Sequence, residues 1–323
     1  MTHDELLQAV ALVARDHVVQ ARDLRALGAT SVDIARLRSR GVLARETTGV
    51  YSTAGAEPGD LHRARVARAH AGPDAIITGT LGARLLGLRW IPDTHKAHTL
   101  VPPERRRATT EAWVKVRRCS WIHTLTTVDV DGVPVAPVPQ LVVDAAREAH
   151  SLRDARGIIL GAIADGHCTV EEVRIILGRS AVGGTAFARR ACCDAERGAA
   201  SPPEAEAADL LIGRGVPFYV NCEVYLDGVL LGVVDIWLVG QGVGGELDSR
   251  EHHGDEKALD ETLLRDKRFS SPGLVLHHFT PTRMRDNTEA FVQTLFASAA
   301  DRRARGITEP PGLTLRPRGP LLQ

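Results

Sequence analysis

Along the N-terminal stretch the apolar positions change period more than once. Leu6, Leu7, Val10, Leu12 and Val13 recur at helical spacing and predict an amphipathic helix over 4–16. His17-Val18-Val19 reads as a short strand, and a second helix is predicted over 21–27, stopped at Gly28. Thr30 or Ser31 is placed to cap a third helix over 32–40, ended by Gly41. Alternation then takes over: Val42 to Arg45, a turn at Glu46-Thr47-Thr48-Gly49, and Val50 to Ser52 read as a β-hairpin. Three helices followed by a hairpin is the order of a winged helix-turn-helix, assigned to 1–55.

The middle of the chain, 56–180, mixes the two periods. Helices are predicted at 61–72, 78–88, 139–150, 152–164 and 169–178, and strands near 97–102, 112–118 and 133–136. This reads as an α+β region without a catalytic constellation. Gly183-Gly184 and the RGAASPP stretch at 197–203 are breakers that bound the next domain. From there a helix over 204–214 leads to strands at 220–224, 229–239 and 246–249, the last two separated by the glycine-rich 240–245. A helix at 256–268, a strand at 274–276 and a helix at 286–300 complete a C-terminal domain over 198–300. The segment 306–323, rich in Pro, Gly and Arg, reads as a disordered tail. The fold class expected for the whole is α+β.

Composition adds three points. Aromatic residues are only 4% of the chain, so the cores must be aliphatic and alanine-rich. Cys119, Cys168, Cys192, Cys193 and Cys222 form no CxxC pair, which suits reduced thiols in the cytoplasm rather than disulfides or a cysteine zinc site. No run reaches the ~18 apolar residues of a membrane span, and MTHDELLQAV has acids where a signal peptide is basic.

The net charge is zero but unevenly spread. Residues 1–120 hold 19 Lys and Arg against 12 Asp and Glu, and residues 121–323 hold 21 against 28. A basic front suits a polyanion, and an acidic back concentrates carboxylates. On the third helix Ile34 and Leu37 mark the inner side, so Val32, Arg36, Ser39 and Arg40 face outward. Such a face suits a DNA major groove, with Arg on guanine edges and Ser on phosphate or base, and Arg45 in the hairpin suits the adjoining backbone. A protein-binding Arg face is the alternative. Arg105-Arg106-Arg107 reads as a solvated loop.

The C-terminal acids are the sharper signal. Asp235 lies within the apolar LLGVVDIWLV, and Glu246-Leu247-Asp248 follows eleven residues later, then Ser249-Arg250-Glu251-His252-His253. On a strand, i and i+2 share a face, so Glu246 and Asp248 project together, and a hairpin pairing brings Asp235 beside them. Converging carboxylates call for a cation, and hard oxygen ligands suit Mg²⁺ or Mn²⁺. Asp235, Glu246 and Asp248 are therefore the candidate metal ligands. Glu204 is a fourth acid, and His252 or His253 a candidate general base.

With these residues in view, the chain resembles known proteins in two stretches. Residues 17–52, with RLRSRGVLARETTGVYS, are similar to the N-terminal winged helix of AbiEi-type antitoxins. Residues 61–150, with AIITGTLGARLLGL and VDGVPVAPVPQLVVDAA, resemble their middle region. The segments SPPE, VVDIWL, ELDSREHH and LLRD resemble the Vsr-like (very-short-patch-repair) branch of the PD-(D/E)XK endonuclease-like fold. The resemblance implies an α/β restriction-endonuclease-like C-terminal domain, with acidic positions at Glu204, Asp235, Glu246 and Asp248 and a histidine at His252 or His253. The family's Arg-Asp matches Arg265-Asp266, and His277-His278 stand where it often has Arg. Two functions are expected: a DNA-binding, Mg²⁺-dependent endonuclease, or a non-catalytic antitoxin or repressor with a cognate toxin as partner.

Overall fold

The computed structural model describes residues 1–105, 111–248 and 256–323. Helices and mixed sheets alternate throughout, an α+β architecture. The chain divides into two compact units, Met1–Ile158 with His167–Ala186 and Ile159–Gly166 with Phe187–Gln323. The segments 1–55 and 56–180, expected as separate domains, thus share the first unit almost entirely. Among the described residues no helix is long and apolar enough to cross a membrane.

The first unit opens with α1 (His3–Val13), β1 (Val18–Gln20), α2 (Ala21–Ala26), α3 (Ser31–Ser39), β2 (Leu43–Thr47) and β3 (Val50–Thr53). A capping box starts α3: Thr30 Oγ1 accepts from the Asp33 N–H at 3.2 Å, and Asp33 Oδ2 accepts from the Thr30 N–H at 2.9 Å. The three strands form an antiparallel sheet in the order β1-β3-β2. Leu6, Val10, Leu24, Ile34, Leu37 and Leu43 fill the core between helices and sheet.

Next come α4 (Asp60–Ala71), β4 (Ile76–Thr78), α5 (Gly79–Leu85), β5 (Ala97–Val101), β6 (Val114–Arg118), β7 (Val128–Val130), β8 (Val133–Val135), α6 (Val138–Glu148), α7 (Leu152–Ala164) and α8 (Val170–Arg179). Their five strands run in the order β6-β5-β4-β8-β7. Val66 of α4 and Trp113 pack on Val18 and Val50, binding the hairpin to this region. Polar contacts do the same: His62 Nε2 meets Ser52 Oγ at 2.9 Å and Trp113 Nε1 donates to the Glu46 carbonyl at 3.3 Å.

The second unit holds α9 (Ala186–Glu196), α10 (Pro202–Leu211), β9 (Phe218–Leu226), β10 (Val229–Leu238), β11 (Val243–Leu247), α11 (Glu256–Ser270), β12 (Val275–Phe279), α12 (Pro281–Asp286), α13 (Thr288–Ala304) and β13 (Leu313–Pro317). Its sheet runs β12-β11-β10-β9-β13, antiparallel except for the parallel β11–β12 pair. One face packs on α10 and α13 through Phe218, Val220, Ile236, Leu238, Leu247 and Leu295. The other buries Cys222, Val224, Val234, Trp237 and Phe269.

Two expectations fail here. The glycine-rich 240–245, expected to separate strands, lies partly inside β11: a Cβ at Gly244 would come within 2.8 Å of Val234 and 2.9 Å of Leu276, so this strand needs glycine to let its neighbours β10 and β12 close in. The tail over 306–323 is not disordered. Leu313 to Pro317 pair with β9, and Phe218 and Leu322 exchange both main-chain hydrogen bonds at 2.9 and 3.0 Å. The reason is an open sheet edge beside a core that Leu313 and Leu315 complete.

Candidate functional site

Strand alternation slips by one where Asp235 sits. On β10, Val234 and Trp237 face one core while Ile236 and Leu238 face the other. Across the ladder, Phe218 and Val220 face one core, and Cys222 and Val224 the opposite one. The pairs Val234–Cys222 and Ile236–Val220 bracket Asp235 and Asn221, which therefore stand opposite each other. Asn221 takes φ +51°, a left-handed conformation that asparagine tolerates better than bulkier residues. This local kink turns both strands over at one point.

On the other side of β10 the ladder to β11 ends at Ile236–Gly245, and the strands fork. Side chains satisfy the main-chain groups that the fork frees. Asp235 Oδ2 accepts from the Leu247 N–H at 2.7 Å, and Arg265 of α11 donates to the Val233 carbonyl. The same guanidinium lies 2.6 Å from Glu246 Oε1. Beside the fork, between β10 and α11, a cleft of about 370 Å³ is lined by Leu231, Gly232, Val233, Leu264, Arg265 and Arg268.

Asp235, Glu246, Asp248 and Glu204 act on one another electrostatically. Burial pushes the Asp235 carboxyl up to about 6, with Glu204 and Asp248 adding repulsion against the pull of Leu247 and Arg265. Burial and then Asp235 push Glu246 up to about 8, against the pull of Arg265. Glu204, in the first turn of α10, accepts from Ser201 Oγ at 2.6 Å and the Ala200 N–H at 2.7 Å, and from the Asn221 side-chain amide.

His278 of β12 pairs in register with Glu246. Its Nδ1 lies 2.9 Å from Asp248 Oδ2 and its Nε2 2.8 Å from Asp266 Oδ1. Carboxyl oxygens face both ring nitrogens, an arrangement that favours the imidazolium, which donates from both. Hydrogen bonding to Asp248 first, then to Asp266, raises it to about 9. His252 and His253 lie outside the described residues. Asn221, Arg265 and His278 complete the cluster. Arg265 and Asp266 had a signal in the sequence, the LLRD resemblance, and His278 stood out only as a departure from that family's Arg; Asn221 had none.

One oxygen each of Asp235, Glu246 and Asp248 is thus spent on protein donors. Carboxylate chemistry fits a hard divalent ion. Among the described residues, however, no group of three or more His, Cys, Asp or Glu is spaced to hold a metal.

In the first unit, Val32, Arg36, Ser39, Arg40 and Arg45 are all exposed. Arg36 forms an ion pair with Asp33 at 3.4 Å, Ser39 Oγ donates to the Arg36 carbonyl at 2.9 Å, and Arg45 donates to Thr48 Oγ1 at 3.2 Å. A buried network in the same unit went unnoticed in the sequence. Asp144 takes hydrogen bonds from Thr78 at 2.7 Å and Gln140 at 2.9 Å, and Glu148 takes one from Thr80 at 2.7 Å and meets His98 at 3.1 Å. These contacts dock α6 on the sheet.

The fold and site define an α+β protein whose second unit gathers acids at a forked sheet. No protein-family profile and no curated protein matches the chain. Among solved structures it is similar to the RV2827C protein from Mycobacterium tuberculosis, at 20% identity and a TM-score of 0.41, covering 59% of this chain and 76% of that one.

Proposed function

We propose that this is a cytoplasmic DNA-binding protein whose second unit is an endonuclease-like domain, hydrolysing DNA phosphodiester bonds with Mg²⁺ or Mn²⁺ held by Asp235, Glu246 and Asp248. The observation that carries this reading is the fork: Asp235 and Glu246 lie one residue beyond the last paired rung between β10 and β11, Ile236–Gly245, with Glu204 and Asp248 close enough to raise Asp235. The order α10, β9, β10, β11, α11, β12, with one parallel pair at the end, supports a PD-(D/E)XK-type domain. A divalent ion held by Asp235, Glu246 and Asp248 would supply charge neutralisation and a more acidic water. The chain's own residues orient that site through Arg265, Asn221 and His278.

DNA recognition is assigned to the first unit. The order α1, β1, α2, α3, β2, β3 with sheet order β1-β3-β2 supports a winged helix, and the exposed side of α3 presents Val32, Arg36, Ser39 and Arg40. Nicking of supercoiled plasmid by the wild type with Mg²⁺, compared with Asp235→Asn and Glu246→Gln, tests the enzyme. Equal nicking by all three removes it.

One observation favours a second reading. Arg265 already neutralises Glu246, which suits an antitoxin or repressor that binds its own promoter and a cognate toxin without cutting. Gel shifts with upstream DNA that weaken in Arg36→Ala and Arg40→Ala, without any nicking, are its signature. Absence of a shift at low salt removes both readings.

A further inference from the structure

The tip of the β2–β3 hairpin is bound by an acid from elsewhere in the first unit. The Thr48 main-chain N–H donates to Glu111 Oε1 at 2.7 Å. Hydrogen bonding from Thr48, then the nearby charges of His70 and Arg45, holds the Glu111 carboxyl below its usual range. Arg45 Nη2 itself donates to Thr48 Oγ1 at 3.2 Å. His70 Nδ1 meets Thr47 Oγ1 at 3.0 Å, and its Nε2 is buried without a hydrogen-bond partner among the described residues. The Thr48 N–H thus holds one carboxylate at the tip, with the Arg45 guanidinium on the Thr48 hydroxyl and the His70 imidazole on the Thr47 hydroxyl. These are the donors that hold an oxyanion such as a phosphodiester.

Glu111 is delivered by a short docked segment. Two residues on, Trp113 Nε1 donates to the Glu46 carbonyl, and its ring packs on Val18 and Val50. Thr48 and Arg45 are both exposed, so an incoming anion reaches these two from solvent.

We infer that the hairpin tip, formed by the Thr48 N–H and hydroxyl with Arg45 and His70, is a backbone-phosphate site, and that Glu111 occupies it in cis as a carboxylate stand-in that nucleic acid must displace. The inference rests on the DNA-binding reading and adds a self-inhibitory contact to it. Glu111 competes with phosphate for the same N–H. Affinity is therefore reduced by the fraction of time the tip is occupied.

Fluorescence anisotropy of a labelled DNA duplex at low salt, with the full chain, tests this. Glu111→Gln is expected to bind about tenfold tighter than wild type, with a salt slope steeper by about one phosphate contact. Glu57→Gln removes the same charge from an exposed acid outside the tip and is expected to change affinity by about twofold or less. Adding Arg45→Ala to Glu111→Gln is expected to abolish the gain. Binding by Glu111→Gln alone, with wild type silent, also supports the inference. Equal affinities for wild type, Glu111→Gln and Glu57→Gln overturn it and leave DNA binding standing. No binding by any variant overturns the DNA-binding reading and this inference together.

Discussion

The Arg265 guanidinium lies 2.6 Å from Glu246 and also caps the main-chain oxygen of Val233, so one α11 side chain stoppers the fork between β10 and β11. Glu246 is almost fully buried, and no other cation is hydrogen-bonded to it among the described residues. Removing one partner of such a pair strands the other charge.

Arg265→Met is therefore expected to destabilise the protein by about 3 kcal/mol, measured by urea unfolding at pH 9, above the value of about 8 at which Glu246 ionises. Adding Glu246→Gln should restore part of that loss, because the stranded charge disappears with it. If the double variant loses as much as the two single losses added together, the two residues are not coupled.

Stability should fall as pH rises. Asp235 is raised to about 6 and Glu246 to about 8, so the native state holds protons that the unfolded chain releases near pH 4. Their contribution is lost as pH climbs from about 4 to 8. His278, raised to about 9, contributes fully below about 6.5 and loses its contribution as pH passes through 9. All three act in the same direction. Urea midpoints at pH 5, 7 and 9 should decrease in that order, and the Asp235→Asn/Glu246→Gln variant should show a flatter fall up to pH 8. An unchanged slope in that variant would count against the burial of these carboxyls.

Asn221 serves two purposes that substitutions can separate. Asn221→Ala keeps a Cβ in the left-handed conformation, at ~1 kcal/mol or more, and also loses the amide contacts to Glu204 and the Gly198 carbonyl. Asn221→Gly loses only those contacts. Thermal unfolding should rank wild type above Gly, and Gly above Ala. Ala more stable than Gly would mean that the backbone there is not left-handed.

Deleting 312–323 uncovers the edge of β9 and removes Leu313, Leu315 and Leu322 from their cores. The expected loss is about 2–4 kcal/mol, with a tendency to self-associate through the open edge. Light scattering and unfolding curves read both effects. A truncated chain as stable and monodisperse as the full one would show that the added strand contributes nothing.

Local patterns were sufficient wherever neighbours in sequence decide the outcome. Thr30 or Ser31 announces the start of α3, and Ile34 and Leu37 tell its buried side from the exposed Arg36 and Arg40. Glu246 lies in β11 and Asp248 one residue past its end, so their closeness follows from sequence separation alone. Asp235 joined them by a hairpin pairing of low sequence separation. Tertiary structure alone decided the rest. Asn221 lies opposite Asp235 only because β9 and β10 adopt one register and kink together, an irregularity that strict alternation does not anticipate. His278 reaches Asp248 across 30 positions, and the polar tail became a strand because a distant edge was open to it. Propensity and periodicity are short-range. Which main-chain groups are left without partners, and which far-off side chain satisfies them, is determined only when the whole sheet has formed.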